Sequence, residues 1–450
     1  HVMQTYSVSG AQTLITTYVN GVKFSTVLNP TTVSVTDTGI NFGRARDAAN
    51  TRGFDGQMDE TALFSRSVSE QEAFTMYNLG TAGFPLDAVI TSQVKADNSD
   101  LLDDGTAWVG GTAPTGAELM VFDSIYTQTI PLNPIAPMGV AGVRVGSGSN
   151  LVDIGNIDGV LTIGTLGVDM IAAGRDLTIS KVQLGGNQNW GIGAGRTFTI
   201  GSDTALTGAY GITKLGAGTV ILNGNNTNTG TTRIGNGTME VTGGTALGDT
   251  SPVTLDNVAG ATLKLNSSET VGTIAGGGSA GGSIDLQGNS LTVAGANTST
   301  YFAGTLTGTG ALVKSGSGIL TLAGTNTYSG GTSINSGVLT ITALAALPGY
   351  NTNGAYAVAA GATLGVTNAV TDANVAALLG TTNFAAGSFI GFDTSAASRT
   401  PTAIIPDTSN GALGVTKLGT NKLILDLANT YSGGTNIIAG SITTANTHGF

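Results

Sequence analysis

The 450-residue chain contains no cysteine. That excludes disulfides, thiolate metal sites and cysteine nucleophiles. Histidine occurs only as His1 and His448, near opposite ends, which argues against a Ser-His-Asp triad or a histidine-rich metal site. Charge is also scarce. Charged residues are 10% of the chain, against a usual share of about 25%. The net charge is −11, and no run of basic residues occurs. DNA and RNA are bound through clustered Lys and Arg, so nucleic acid is not an expected partner. No stretch of 18 apolar residues is present, so no transmembrane helix is expected. The N-terminal HVMQTYSVSG lacks the basic and apolar regions of a signal peptide. An export signal would have been removed or would lie outside this chain.

What is abundant is glycine, 70 residues, about twice the usual share of roughly 7%. The glycines have no every-third spacing, which excludes collagen. Hydrophobic residues reach 40%, too many for disorder driven by low hydrophobicity.

Residues 1–80 have the most ordinary composition. Tyr18-Val19-Asn20-Gly21-Val22 predicts a β-hairpin, because Asn-Gly between β-rich runs is the strongest short hairpin signal. Ser69 followed by Glu72 predicts a capping box opening a helix that ends near Gly80. Residues 81–106 read as a transition containing Asp97, Asp100, Asp103 and Asp104. Beyond them, short apolar strands alternate with Gly, Asn, Asp and Ser turns.

An internal repeat dominates the second half. Copies fall near 211–241, 310–341 and 414–443. Lys214, Gly216, Gly218, Asn226 and Gly230 recur as Lys314, Gly316, Gly318, Asn326 and Gly330. The third copy keeps Lys417, Asn429, Tyr431 and Gly433 and loses two glycines, at Asn421 and Leu427. NTYSGGT, with Tyr328 and Tyr431, is identical in the second and third copies. One such unit cannot bury its own apolar face, but stacked units can. The expected architecture is all-β: a right-handed parallel β-helix over 107–450. Coils of about 20–25 residues would give about four coils per repeat, and the apolar peaks near 144, 162, 178 and 199 support that spacing.

Two resemblances follow from these motifs. The repeat is similar to the autotransporter-associated, or passenger-associated transport, β-strand repeat. Phe54, Gly56, Met58, Asp59, Glu60, Arg66, Ser69 and Glu72, with the YVNG hairpin, resemble the C-terminal half of a laminin-G-like, concanavalin-type jelly roll. The jelly roll would therefore be partial, and the chain reads as starting in mid-domain. The resemblance implies an extracellular, structural β-solenoid rod of an adhesin-like protein on the surface of a Gram-negative-type bacterium, and no enzyme. It leaves two alternatives: a filament subunit assembling end to end, and a glycan-binding protein acting through the jelly roll. Expected partners are further copies or neighbouring modules, and carbohydrate under the last alternative.

Chemistry-bearing residues are few. Asp59 and Glu60, and separately Asp97, Asp100, Asp103 and Asp104, are candidate calcium ligands, and calcium is the one cofactor considered. The competing reading pairs Asp59 and Glu60 with Arg44, Arg46 or Arg66 and leaves the later aspartates in a solvated turn. Lys214, Lys314 and Lys417 each stand alone and read as solvated or snorkelling lysines at strand edges, not as members of a lyase site, which needs clustered acids and bases. Trp108 and Trp190 read as core plugs rather than glycan platforms. Thr-x-Thr is too sporadic for an ice-binding array. Gly216 and Gly218 are turn residues rather than a phosphate cradle, because no helix follows.

Overall fold

The computed structural model describes residues 2–9, 12–29, 67–83, 90–128, 136–148, 151–155, 159–201, 206–295 and 298–444. Two compact units divide the chain, 1–91 and 92–450.

In the first unit, Val2–Ser9, Gln12–Val19 and Val22–Asn29 form an antiparallel sheet in sequence order. Asn20 and Gly21 both have positive φ, 49° and 75°, as the tight hairpin turn requires. A Cβ on Gly21 would also lie 2.8 Å from Phe74 Cα, so glycine lets the turn meet the helix. That helix, Glu70–Thr81, opens with the expected capping box: Glu72 N–H donates to Ser69 Oγ, and Ser69 N–H donates to the Glu72 carboxylate. Tyr18, Val68 and Ala73 form a small core beneath it. Asp59, Glu60, Arg44, Arg46 and Arg66 lie outside the described residues.

The second unit is a parallel β-solenoid of about 14 turns. Ser92–Val94 pairs in parallel with Leu119–Phe122, so part of the segment read as a transition already belongs to it. One face shows how sequence becomes coil. Leu177, Phe198, Val220, Met239, Leu263, Ile284 and Leu306 stack in register from rung to rung, and all are fully buried. The next residues, Thr178, Thr199, Ile221, Glu240, Lys264, Asp285 and Thr307, point the other way and are half-buried. This is the period-two alternation of a strand with one face inside. Each buried apolar side chain contributes about 1.5–3 kcal/mol. Outward charges on adjacent rungs are of opposite sign where they meet, as in Glu240–Lys264 at 3.2 Å. Trp190 packs edge-on against Phe198 inside the column, 5.2 Å between centroids. Trp108 and Trp190 are both buried, with indole N–H groups donating to Leu102 O and Gln188 Oε1. They are core plugs.

The repeats do not stack in phase. Ile212–Leu215 of the first copy lies on the long face that continues through Thr232–Ile234 and Pro252–Leu255. Its equivalent, Ala311–Lys314, lies on a different face, between Ser290–Val293 and Thr332–Ile334. The next strand of the second copy, Ile319–Leu322, is the one that continues the long face. That strand stands five rungs beyond Ile212–Leu215 on the long face, so the first repeat spans about four and two-thirds coils. Four further rungs bring Leu413–Leu418 onto the long face, so the second repeat spans about four and one-third. The expected coil length holds, and each repeat runs a fraction of a coil past the expected four. Of the apolar peaks, Leu177 and Phe198 do stack one coil apart, whereas Val143 and Leu161 do not: Val143 pairs with Val168 and Leu161 with Met138.

The absence of native cysteine makes the register testable. Tyr301 and Thr321 are neighbours on adjacent rungs, about 4.8 Å apart, within the Cα range of a disulfide. Tyr301→Cys with Thr321→Cys should cross-link on oxidation, read as a mobility shift on non-reducing gels. Thr307→Cys with Thr321→Cys, the pair expected for in-phase repeats, should not.

Candidate functional site

The repeat lysines are buried, which corrects the sequence reading. Lys214 and Lys417 are 0% exposed and Lys314 is 2% exposed. Each lies two residues after an inward-facing apolar residue, Ile212, Leu312 or Val415, and so shares its inward parity. Lys214 Nζ donates to the carbonyls of Leu215, Gly216 and Asn236 at 3.1, 2.7 and 2.9 Å. Lys417 Nζ donates to those of Leu418, Gly419 and Ala439 at 2.6, 2.7 and 3.1 Å. Lys314 Nζ reaches the carbonyls of Gly316 and Ser336. In each copy the acceptors belong to turns of two successive coils. Desolvation lowers the amines, to about 7 for Lys214 and about 8 for Lys314. Lys417 is lowered by the same cause, opposed by Asp393.

The acidic loop is organised around another buried amine. Lys95, 0% exposed, donates to Ala96 O, Asn98 O and Asn98 Oδ1 at 3.0, 2.9 and 2.7 Å. Burial lowers its pKa, and Asp100 and Asp97 partly restore it. The structure does not bring the four aspartates together. Asp97 accepts from Thr127 N–H and Gln128, Asp100 from Asn98, Asp103 from Ala136 N–H, and Asp104 from Thr106 N–H. Among the described residues, no three His, Cys, Asp or Glu side chains converge as a metal site would require.

The recurrent asparagines join coils. Asn226 Oδ1 accepts from Leu206 N–H at 2.9 Å, and its Nδ2 donates to Ala246 O at 2.7 Å. Asn326 repeats this with Leu306 and Ala346, both at 2.8 Å. Asn429 accepts from Ile405 N–H at 3.0 Å but donates to Leu427 O in its own coil. The tyrosines pair locally: Tyr328 Oη with Thr332 Oγ1 at 2.6 Å, and Tyr431 Oη with Thr435 Oγ1 at 2.9 Å. Burial raises the Tyr328 phenol to about 12. The first copy has Asn228 at this position, 1% exposed. Neither amide atom of Asn228 nor Thr232 Oγ1 has a hydrogen-bond partner among the described residues. Gly216 and Gly316 supply carbonyls to the lysines. Gly218 and Gly318 enter the following strand, where a Cβ on Gly218 would lie 2.3 Å from Gly193 O. Gly330 and Gly433 precede the strands that start at Thr332 and Thr435.

Two features were missed in the sequence. Glu269, 2% exposed, accepts from the N–H groups of Ala246 and Leu247. Desolvation raises it to about 7. Its place directly after Ser267-Ser268 resembles any polar turn, so only the stacking reveals it. The second is a pair of departures from the regular coil, over 368–387 and 394–406, on either side of the rung strand Ser388–Asp393; the first carries the helix Asp372–Leu379. Arg399, 8% exposed, donates to Thr367 O and Val370 O at 3.0 and 2.9 Å and to Asp372 Oδ1 at 2.6 Å. Asp372 Oδ2 accepts from Thr402 N–H and Oγ1 at 2.7 and 2.8 Å. Burial works to raise Asp372, but the bonds from Arg399 and Thr402 outweigh it and the pKa is lowered. An apolar pocket of about 190 Å³ and an open polar cleft of about 500 Å³ flank this clamp.

The chain is thus a β-solenoid protein carrying three copies of the passenger-associated-transport-repeat, matched at 212–241, 312–341 and 415–443. Residues 1–73 match the concanavalin A-like lectin/glucanases superfamily. The particular likeness is to the adhesin BmaC autotransporter of Brucella suis biovar 1 (strain 1330), 39% identical over 155 residues. That alignment covers 34% of this chain and 4% of the adhesin, so the chain spans a small part of its relative. No solved structure matches.

Two substitutions test these assignments. Lys214→Met removes the donor shared by three turn carbonyls, two of them buried, and should destabilise the solenoid by about 1–3 kcal/mol in denaturant unfolding. Between pH 7 and 10.5 the folded state holds fewer protons on Lys214 than the unfolded state does. The wild type should therefore gain stability as pH rises through that window, and the variant should lack this increment. Asn228→Tyr should restore the hydroxyl pair with Thr232 and slow amide exchange across 228–234; faster exchange would show that the first copy has no room for the ring.

Proposed function

We propose that this chain is a rigid, non-enzymatic β-solenoid segment of an adhesin-like protein displayed on or secreted from the surface of a Gram-negative-type bacterium. The observation that carries this reading is the set of passenger-associated transport repeats built into one solenoid, with the likeness to an autotransporter adhesin beside it. The repeats' polar side chains support a structural role, because Lys214, Lys314, Lys417, Asn226 and Asn326 are consumed in holding turns and adjoining coils. Stacked rungs with a continuous buried column resist bending, which suits a part that holds binding modules away from the cell. Among the described residues no helix is long and apolar enough to cross a membrane.

Antibodies against the solenoid should label intact bacteria, and electron micrographs of the chain should show single rods. Labelling only after lysis would overturn surface display. Fibres with a fixed axial repeat would replace the rod by the end-to-end filament. Glycan binding that maps to residues 1–73 would add the concanavalin-like segment as the binding part.

A further inference from the structure

The segments 368–387 and 394–406, on either side of the rung strand Ser388–Asp393, are built differently from the regular coils. They replace regular strand by the helix Asp372–Leu379 and a proline-bearing segment through Pro401 and Pro406. The Asp372–Arg399 clamp fixes the two against each other, and the Arg399 guanidinium also lies over the Phe392 ring, 5.0 Å from its centroid. A site held this way is ordered before anything binds, which lowers the entropy cost of binding.

The two sides of the clamp differ in chemistry. On one side Val375, Ala376, Leu379, Phe392, Pro401 and Ile405 line the apolar pocket, and Ile404, 53% exposed, stands at its rim. On the other, the cleft is lined by Thr371, Ser398, Thr400 and Thr402; Thr371 and Ser398 accept from the N–H groups of Asn374 and Lys422 and keep their O–H donors, and Thr402 donates to Asp372 and keeps its lone pairs. The charges between them are spent on each other, so neither an anion nor a cation is selected. A ligand that fits both sides is neutral, carries several hydroxyls and has an apolar group beside them. A few placed polar groups around an apolar hollow are the usual makeup of a small-molecule site.

We propose that this pair of clefts binds a neutral, N-acetylated pyranose sugar, with the acetamido methyl and the C–H face of the ring in the apolar pocket and the ring hydroxyls in the threonine-lined cleft. The inference goes beyond the surface-rod reading and does not rest on it.

Saturation-transfer NMR and titration calorimetry on the full chain test it, with N-acetylglucosamine, N-acetylgalactosamine, glucose and galactose as probes. One of the acetylated sugars should bind, and its non-acetylated counterpart should bind at least about tenfold more weakly, the worth of an apolar group leaving its pocket. Ala376→Trp fills the pocket, and Thr400→Val removes a hydroxyl from the cleft. Both positions are exposed, so the fold should stand, as circular dichroism can check. The first should abolish binding and the second should weaken it by about threefold to tenfold. Failure of all four sugars to bind would overturn the proposal. So would binding that both variants leave unchanged, which would place the sugar elsewhere on the chain. Capture of a leucine-containing tripeptide in preference to the sugars, lost in Ala376→Trp, would overturn it in favour of a peptide anchor.

Discussion

A coiled chain must turn at every corner, and a turn strips backbone carbonyls of their ladder partners in places water does not reach. An unpaired buried carbonyl is costly, and stacking repeats that cost at every coil. This chain meets it with buried basic side chains. Lys95, Lys214, Lys314 and Lys417 aim ammonium groups at turn carbonyls, and Arg175 does the same with its guanidinium toward Tyr126, Asp123 and Ser147. Because the acceptors of a repeat lysine come from two coils, each amine also fixes the spacing between them. Desolvation penalises the ammonium form, and the hydrogen bonds it donates to several carbonyls work against that penalty.

The asparagines act on the other side of the same constraint. A backbone amide at the edge of a turn needs an acceptor, and the next carbonyl along needs a donor. One carboxamide provides both, reaching back one coil and forward one coil from Asn226 and Asn326. Where the ladder lacks an amide, at 269, a glutamate accepts from two N–H groups at once. Side-chain identity at these places follows from which backbone groups the turn leaves unpaired.

Much of this was legible in the sequence. The hairpin at Asn20-Gly21, the Ser69–Glu72 capping box, the short alternating strands and the repeat all follow from local rules. The burial of Lys214 was legible too, through its shared parity with Ile212; the preference of lysine for surfaces obscured it. The lysine's acceptors could not be read, because Asn236 and Gly216 become neighbours only when coils stack. The Asp372–Arg399 clamp was hidden for the same reason, with 27 residues separating its partners. Phase was the least legible property. Repeat length is a count along the chain, whereas face is set by the summed lengths of every loop between copies.

That mismatch of phase has its own consequence. Repeats that share a pattern invite a chain to mis-pair, skipping one copy and looping it out while the next takes its place on the growing edge. Here a skipped copy would deliver its first strand to the wrong side of the rod, with its turns at the wrong corners and its lysine facing carbonyls that already have partners. Unequal loops thus give each otherwise similar repeat an address. A solenoid built this way keeps a single solution at each rung, even though its building blocks are copies.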